Sequence, residues 1–239
     1  MNTQSQPSSF LAVIASFFVG ILIISNIASS AKIVDFGVSI FSIPLAFDGG
    51  TILFPIAYIL GDLLTEVYGY KASRRVIWTG FIVLCFCSLL FFLLRALPGE
   101  ATWESYAGSQ AYDAILGGMS SGGIAAASLS GYMIGSFSNS AILSRLKVLM
   151  KGKALWVRAM ASSLAGQLLD SFAFVSVACL TGVFGCELFA TLALTNYLFK
   201  LAVEVIIFPL TFLTAKKLKK HEGIDTFDVG VRLNPFGRD

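Results

Sequence analysis

The stretch FLAVIASFFVGILIISNIASSA, Phe10–Ala31, contains no charged side chain and decides the class of fold. A helix needs about 20 consecutive apolar residues to cross the hydrocarbon core of a bilayer. The stretch therefore predicts a membrane-spanning helix rather than a helix of a soluble domain. Five more apolar stretches of comparable length follow along the chain, at residues 51–68, 76–97, 115–143, 157–181 and 188–215. Together they predict an all-α polytopic membrane protein with six transmembrane helices.

The composition agrees with a lipid environment. Hydrophobic residues make up 56% of the 239-residue chain and charged residues 13%, and the mean hydropathy is +0.80. A soluble domain carries about 25% charged residues, so most of this chain is expected to face lipid or other helices. The net charge of +3 is too small to indicate nucleic-acid binding. No Cys/His cluster has the spacing of a zinc site, and we expect no metal, no cofactor and no enzymatic activity.

Lysine and arginine residues are concentrated in every second connection. The connections after the second and fourth stretches and the C-terminal segment are basic: Lys71, Arg74, Arg75, Arg145, Lys147, Lys151, Lys153, Lys216, Lys217, Lys219 and Lys220. Because basic connections stay in the cytoplasm, both termini are predicted to be cytoplasmic. Residues 1–220 form the predicted six-helix transmembrane domain. Residues 221–239 are predicted to be a disordered cytoplasmic tail, since they show no periodicity.

Two connections on the opposite side carry local signals. Residues 33–50 are too polar to span, and Pro44 with Asp48-Gly49-Gly50 predicts an extracytoplasmic hairpin or short lid. Cys179 and Cys186 flank a short loop. They could pair in an oxidising compartment, although the sequence favours free thiols.

The two halves of the chain show faint internal similarity. Gly61-Asp62-Leu63-Leu64 in the second stretch resembles Gly166-Gln167-Leu168-Leu169 in the fifth. Ser25-Asn26-Ile27-Ala28 in the first stretch resembles Ser138-Asn139-Ser140-Ala141 in the fourth. The paired stretches run in opposite directions, which is typical of the inverted three-helix repeats of transporters. Four-residue matches in apolar sequence also arise by chance.

Five ionisable side chains lie within the predicted spans: Asp62, Glu66, Asp170, Lys200 and Glu204. A charge at the centre of a bilayer costs at least about 2.5–3.5 kcal/mol, so such residues are rare and usually functional. Helical spacing places them on polar stripes with Tyr58, Gln167, Ser171, Phe174 and Asn196. These stripes are expected to face each other, because none can face lipid.

The simplest structural interpretation is that Lys200 neutralises Glu204 or Asp62. That pairing leaves at least two carboxylates without a cation, together with Asn196 and Gln167. A ligand that presents several N–H donors and a carbonyl would satisfy these groups. The sequence therefore favours a polar site for a small molecule in the middle of the membrane.

A family resemblance rests on the string Gly61-Asp62-Leu63-Leu64-Thr65-Glu66-Val67-Tyr68-Gly69-Tyr70, followed by Arg74-Arg75-Val76-Ile77-Trp78. It resembles the queuosine precursor transporters, a vitamin-uptake-like family of bacterial inner-membrane proteins. The same pattern includes Phe54-Pro55, Gln167-Leu168-Leu169-Asp170-Ser171-Phe172, Lys200-Leu201-Ala202-Val203-Glu204 with Pro209, and Ser25-Asn26 with Lys32. The resemblance covers residues 25–217.

The resemblance implies a multi-pass protein of the bacterial inner membrane that imports 7-deazaguanine precursors of queuosine. These are 7-cyano-7-deazaguanine and 7-aminomethyl-7-deazaguanine. A guanine-like edge offers two adjacent donors to a carboxylate and a carbonyl to a lysine or an amide. The implied partners are the small-molecule substrate and the lipid bilayer, and a homo-oligomer is compatible with the sequence.

The expected substrate-binding residues combine carboxylates, amides, a lysine and an aromatic ring: Asn26, Asp62, Glu66, Gln167, Asp170, Phe174, Asn196, Lys200 and Glu204. We expect Asp170 or Glu204 to bind the donor edge of the substrate. Asn196, Gln167 and Lys200 are expected to contact its carbonyl side. The two acids of the second span are expected to bind or gate near the cytoplasmic half.

Two other classes of function remain open. Asp62 and Asp170 could form the dyad of an intramembrane aspartyl protease, although a full Gly-x-Gly-Asp string is absent. The second alternative is a vitamin-type substrate-binding component that works with an energising ATPase. The chain has no Gly-rich phosphate loop of the Walker type, so a partner would have to supply the ATPase.

Overall fold

The computed structural model describes residues 9–40, 43–183 and 185–237, and these are mostly helical. The helices are α1 Ser9–Ala31, α2 Phe54–Leu63, α3 Tyr70–Ala96, α4 Ala101–Tyr106, α5 Gly108–Ser120, α6 Gly122–Leu149, α7 Leu155–Leu180 and α8 Phe189–Glu222. A π-helical turn, Leu64–Tyr68, extends α2, and short 3-10 turns cover Gly49–Ile52 and Cys186–Leu188. The predicted all-α class is confirmed, with one two-stranded hairpin added to it.

Within the part of the chain that the structure describes, five helical segments are long and apolar enough to cross a membrane: Phe10–Ala31, Gly49–Tyr68, Tyr70–Ala96, Leu155–Leu180 and Ala193–Glu222. The predicted fourth span, residues 115–143, is not one helix, because the chain is extended at Ser121 between α5 and α6. α6 itself has 28 residues and is therefore about 42 Å long. This length exceeds the hydrocarbon thickness of a bilayer, but the many Gly and Ser residues of α6 make it less apolar than the other five.

Two helices extend further than the apolar pattern predicts. α3 begins at Tyr70, directly after the π-helical turn and Gly69, whereas the predicted span begins at residue 76. α8 continues to Glu222, past the predicted end at residue 215. Hydropathy marks where a helix would leave the membrane, and the polar residues beyond that point can still propagate the helix.

α6 and α7 pack closely through glycine residues. A Cβ atom added at Gly135 would lie 2.6 Å from Asp170 Cβ, and one added at Gly166 would lie 2.8 Å from Asn139 Cβ. Larger residues would therefore push the helices apart. The Gly-rich composition of α6 is typical of close helix packing in membranes, and it brings Asn139 and Asp170 to one interface.

The predicted hairpin is confirmed. β1 Ile33–Ile40 and β2 Ile43–Asp48 pair in an antiparallel manner, with Ile33 opposite Asp48. Gly49 N then donates a hydrogen bond to the Lys32 carbonyl at 2.8 Å, which closes the hairpin at its base. The hairpin thus returns the chain from the end of α1 to the start of the second span.

Cys179 and Cys186 form a disulfide bond across the loop that follows α7, with their Cα atoms 5.2 Å apart. The prediction of free thiols is wrong for Cys179 and Cys186. The turn after α7 brings their Cα atoms within the distance that a disulfide bond requires. Cys85 and Cys87 are free.

Residues 223–237 contain no helix or strand, but they contact the ends of α3 and α6. The Asp228 carboxylate accepts hydrogen bonds from Tyr70 N at 2.8 Å and from Ser144 Oγ at 2.6 Å. The Trp78 indole donates to a carbonyl of this segment at 2.9 Å. Single polar contacts of this kind leave no periodic pattern in a sequence, and the disorder predicted for residues 221–239 stays a prediction.

Candidate functional site

A cavity of about 480 Å³ lies among the helices, within the size range of small-molecule sites. Its walls are mostly apolar and aromatic. The amide, hydroxyl and charged side chains that line it include Asn26, Tyr58, Asn139, Asp170, Asn196 and Lys200. These six residues come from α1, α2, α6, α7 and α8. Convergence of a few polar groups in an apolar chamber is typical of a binding site for a small molecule.

Lys200 and Asp170 form a buried ion pair at the cavity wall. Lys200 Nζ lies 2.7 Å from Asp170 Oδ2 and 5.1 Å from the centre of the Phe54 ring. The ring face adds a cation–π attraction to the ion pair. The Tyr58 hydroxyl also lies beside the Asp170 side chain. α2, α7 and α8 are therefore connected at this point of the cavity.

The partner of Lys200 differs from the sequence prediction. Neutralisation of Glu204 or Asp62 by Lys200 is wrong, because the packing of α7 against α8 brings Asp170 to the ammonium group instead. Helical spacing identifies neighbours on the same helix, but it does not identify the residue that faces them from another helix.

Asp62 and Glu204 are each paired with an amide. Asn139 Nδ2 donates to Asp62 Oδ1 at 2.7 Å, and Gln167 Nε2 donates to Glu204 Oε2. Both carboxylates are buried, with 4% and 2% of their surfaces exposed. Within the described ranges of the chain, neither carboxylate forms an ion pair with a cation. The amide oxygens, Asn139 Oδ1 and Gln167 Oε1, find no hydrogen-bond partner among the same residues.

Glu66 lies in a cluster of cations and not among the residues that line the cavity. The Arg158 guanidinium binds both of its carboxylate oxygens, at 2.7 and 3.1 Å. Lys219 Nζ also contacts Glu66 Oε1, and Lys147 Nζ lies 3.7 Å from the same oxygen. Lys147 in turn binds Asp225 in the C-terminal segment. This cluster ties the end of the second span to α6, α7 and α8.

The predicted site residues fall into three groups. Those that line the cavity are Asn26, Asp170, Phe174, Asn196 and Lys200. Asp62, Gln167 and Glu204 do not line the cavity. Gln167 and Glu204 bond to each other, and Asp62 bonds to the lining residue Asn139. Glu66, in the cation cluster, is the third group.

Asn139 and Tyr58 are among the lining residues that the predicted site residues do not include. Asn139 is visible in the sequence only as the counterpart of Asn26 in the internal similarity. Tyr58 is one aromatic residue among many, and core packing is the usual role of such residues. The basic residues Lys147 and Arg158 carry only a topology signal in the sequence, although they bind Glu66.

The geometry does not favour a protease dyad. Asp62 bonds to Asn139, whereas Asp170 is paired with Lys200. Of the two aspartates, Asp170 lines the cavity and Asp62 does not. An aspartyl dyad requires two carboxylates that share a proton, and here each aspartate has its own partner.

The fold and the cavity define a polytopic helical membrane protein with a mostly apolar cavity among its helices, lined by a few polar groups. Residues 48–214 match the family described as "Putative vitamin uptake transporter", and the chain belongs to this family. The family membership confirms the resemblance found in the sequence motifs.

Three curated proteins are similar to the chain. The "Queuosine precursor transporter" of Escherichia coli (strain K12) is 25% identical over 210 residues, which cover 87% of this chain and 88% of that protein. The "Probable queuosine precursor transporter" of Bacillus subtilis (strain 168) is 26% identical over 72% of this chain and 73% of its own length. The protein of that name from Haemophilus influenzae is 27% identical over 66% of this chain, and the match spans 64% of its length. No solved structure matches the chain significantly.

Proposed function

We propose that this protein is a bacterial inner-membrane transporter that imports the 7-deazaguanine precursors of queuosine, 7-cyano-7-deazaguanine and 7-aminomethyl-7-deazaguanine. The observation that carries the proposal is similarity over 87% of the chain to a protein named queuosine precursor transporter. The names of the other two relatives and the family description support the same transporter role. The cavity supplies a chamber of suitable size for a small molecule.

The charged pair in the cavity suits a guanine-like ring. The Watson–Crick edge of such a ring carries two adjacent N–H donors beside a carbonyl acceptor. Asp170 offers a carboxylate acceptor, and Lys200 offers donors 2.7 Å away. In this proposal Asp170 binds the donor edge, Lys200 and Asn196 bind the carbonyl, and the Phe174 ring packs against the face of the base.

Glu204 and Gln167 have a different part in this proposal from the one that the sequence suggests. They bond to each other and do not line the cavity, so they do not contact the substrate directly. The same holds for Asp62, which bonds to the lining residue Asn139. These carboxylates support the cavity from behind its wall.

The proposed topology has six spans, with both termini in the cytoplasm. α6, the fourth in chain order, is added to the five apolar helical segments as a further span. The cations around Glu66 belong to the segments that carry the Lys/Arg excess, and such segments favour the cytoplasmic side. The Cys179–Cys186 disulfide follows α7 at the other end of that helix from Arg158. Disulfides persist in oxidising compartments, which supports an extracytoplasmic position for this loop.

The test uses a bacterium that can neither synthesise the precursors nor take them up. Expression of this chain should restore queuosine in tRNA when 7-cyano-7-deazaguanine is supplied outside. Asp170→Asn is the matched variant, and it should insert into the membrane at the same level without restoring the modification. Unmodified tRNA in cells with confirmed insertion of the wild type would contradict the proposal.

A second measurement addresses the ATPase alternative. The purified chain is placed in lipid vesicles that contain no other protein, and entry of labelled precursor is followed. Uptake without an added ATPase is expected. Binding without uptake would instead favour a substrate-binding component that requires a partner.

A further inference from the structure

The four buried carboxylates of the spans have two kinds of partner. Glu66 is bound by several cations, and Asp170 is bound by Lys200. Asp62 and Glu204 are bound by amides, and among the described residues neither is paired with a cation. The cost of an uncompensated charge inside a bilayer is high. Buried carboxylates without a cation, such as Asp62 and Glu204, are therefore expected to bind and release protons.

An amide partner suits a carboxyl group that changes its protonation state. A lysine or arginine has donors only, so it can satisfy a carboxylate but cannot accept the O–H of a protonated carboxyl group. An amide has donors on its nitrogen and an acceptor oxygen, so it can satisfy both forms. Asn139 and Gln167 each use the nitrogen toward a carboxylate, and their oxygens have no partner in the described parts of the chain. The acceptors that protonated Asp62 and Glu204 would need are thus present on the same two side chains, and rotation of each amide would bring them into position.

The two carboxylates also act on each other. Asp62 and Glu204 lie close enough for mutual repulsion, as α2 packs against α8. One proton bound to either side chain removes this repulsion. α1 carries no charged residue. Among the described residues, Tyr58 interacts electrostatically with both carboxylates and Glu66 with Asp62, whereas Lys200, one turn before Glu204 on α8, is paired with Asp170.

Asn139 connects this pair to the cavity. It lines the cavity, whereas Asp62 does not. When Asp62 is ionised, the Asn139 nitrogen must turn toward it, as observed at 2.7 Å. When Asp62 is protonated, its O–H can donate to Asn139 Oδ1 after the amide rotates, and the nitrogen then turns away from Asp62. The protonation state of Asp62 therefore sets which end of the amide faces the substrate.

We propose that Asp62 and Glu204, with their amide partners, form a proton-binding site behind the cavity, and that substrate import is coupled to proton entry through this site. The coupling rests on the proposed transporter function, whereas the proton site itself does not. The step is simple proton transfer: a carboxylate takes up one proton on the extracytoplasmic side and releases it on the cytoplasmic side. No bond other than O–H forms or breaks.

The first experiment tests the proton site without any substrate. Infrared difference spectroscopy on the purified protein in lipid vesicles is recorded during titration with base. The wild type should lose the carbonyl stretching band of a protonated carboxyl group, and Asp62→Asn or Glu204→Gln should remove or shift that band. The matched controls are Asp113→Asn, at a half-buried residue paired with Arg95, and Glu187→Gln, at an exposed residue, and both should retain the band. Absence of the band in the wild type, or its persistence unchanged in both buried variants, would overturn the proposal.

The second experiment tests the coupling. Vesicles that contain the wild type should accumulate labelled 7-cyano-7-deazaguanine faster when the outside is acidic, and a proton ionophore should abolish the gain. Asp62→Asn and Glu204→Gln should lose this gain but keep the exchange of external labelled precursor for internal unlabelled precursor, which needs no net proton movement.

The outcomes separate the two proposals. Coupling would be contradicted if accumulation by the wild type did not depend on the proton gradient. It would also be contradicted if the variants lost exchange and accumulation to the same degree. A wild type that exchanges no precursor at all would count against the proposed function. In that case the infrared titration still decides whether the proton site exists.

Discussion

Lys200 Nζ lies 2.7 Å from Asp170 Oδ2 at the wall of the cavity, and this contact joins α8 to α7. The pair is neutral as a unit, so the empty cavity does not hold an uncompensated charge. A ligand with a donor edge beside a carbonyl can bind the carboxylate and the ammonium at the same time. The pair thus serves both as a connection between helices and as a preformed recognition element.

Replacement of Lys200 by Met removes the cation but keeps an unbranched side chain. Asp170 then becomes a buried carboxylate without its counterion, and loss of one partner of a buried pair typically costs about 3–5 kcal/mol. We expect a lower unfolding temperature in detergent and no stabilisation by added precursor. The double variant Asp170→Asn/Lys200→Met removes both charges and should regain stability without regaining precursor binding. A wild-type response to the precursor in Lys200→Met would argue against a role for this pair in binding.

Replacement of Glu66 by Gln should destabilise the protein strongly. The Arg158 guanidinium is 0% exposed and binds both Glu66 oxygens, so the change leaves a buried cation without its carboxylate. We again expect a loss of about 3–5 kcal/mol, measured by thermal unfolding in detergent. Glu187→Gln is the matched control at an exposed position, and it should stay within about 0.5 kcal/mol of the wild type. Equal stability of the two variants would show that the cluster contributes little.

The attachment of the C-terminal segment should depend on pH through Asp225. Burial raises the pKa of the Asp225 carboxyl, but hydrogen bonds and charges from Lys147 and Lys219 outweigh burial and lower the pKa overall. A lowered folded-state pKa stabilises the protein above the unfolded-state value of about 3.9, and the gain disappears as the pH falls through the folded-state value.

The measurement is the unfolding temperature of the wild type and Asp225→Asn as a function of pH. The variant should be less stable than the wild type at neutral pH, and the difference should shrink in acid below about pH 4. A difference that stays constant over this range would contradict an electrostatic role for Asp225.

The topology can be tested with reporters fused along the chain. Fusions at Gly99 and Gly182 should report the extracytoplasmic side, and fusions at Gly152 and after Lys220 should report the cytoplasm. Gly182 lies in the same loop as the Cys179–Cys186 disulfide, so its position also tests the compartment of that bond. A cytoplasmic signal at Gly182 would rule out the six-span arrangement.

The apolar runs and polar stripes predict much of the architecture, because membrane spans need long uncharged helices whose polar residues face inward. The first apolar span has the predicted bounds, Phe10–Ala31, and Asp170, Asn196 and Lys200 line a common cavity. The break at Ser121 is harder to predict, since Gly and Ser residues surround it on both sides and no Pro marks it.

The sequence does not predict which residue on another helix a given side chain contacts. Lys200 and Glu204 have the spacing of a helical ion pair, yet Lys200 binds Asp170 and Glu204 is bonded to Gln167. The choice depends on the approach of α7 to α8, a property of the assembled bundle. The contacts of Arg158 with Glu66 depend on packing in the same way, because the two residues are 92 positions apart in the chain.

Equilibrium binding of labelled 7-cyano-7-deazaguanine to the purified protein tests whether the cavity that contains Asp170 binds the precursor. We expect saturable binding to the wild type. Asp170→Asn should bind about 30-fold to several thousand-fold more weakly, since truncation of a buried charged hydrogen-bonding partner typically costs about 2–5 kcal/mol. Asp113→Asn, outside the cavity, should bind like the wild type. No saturable binding to a folded wild type, or wild-type affinity in Asp170→Asn, would contradict the account.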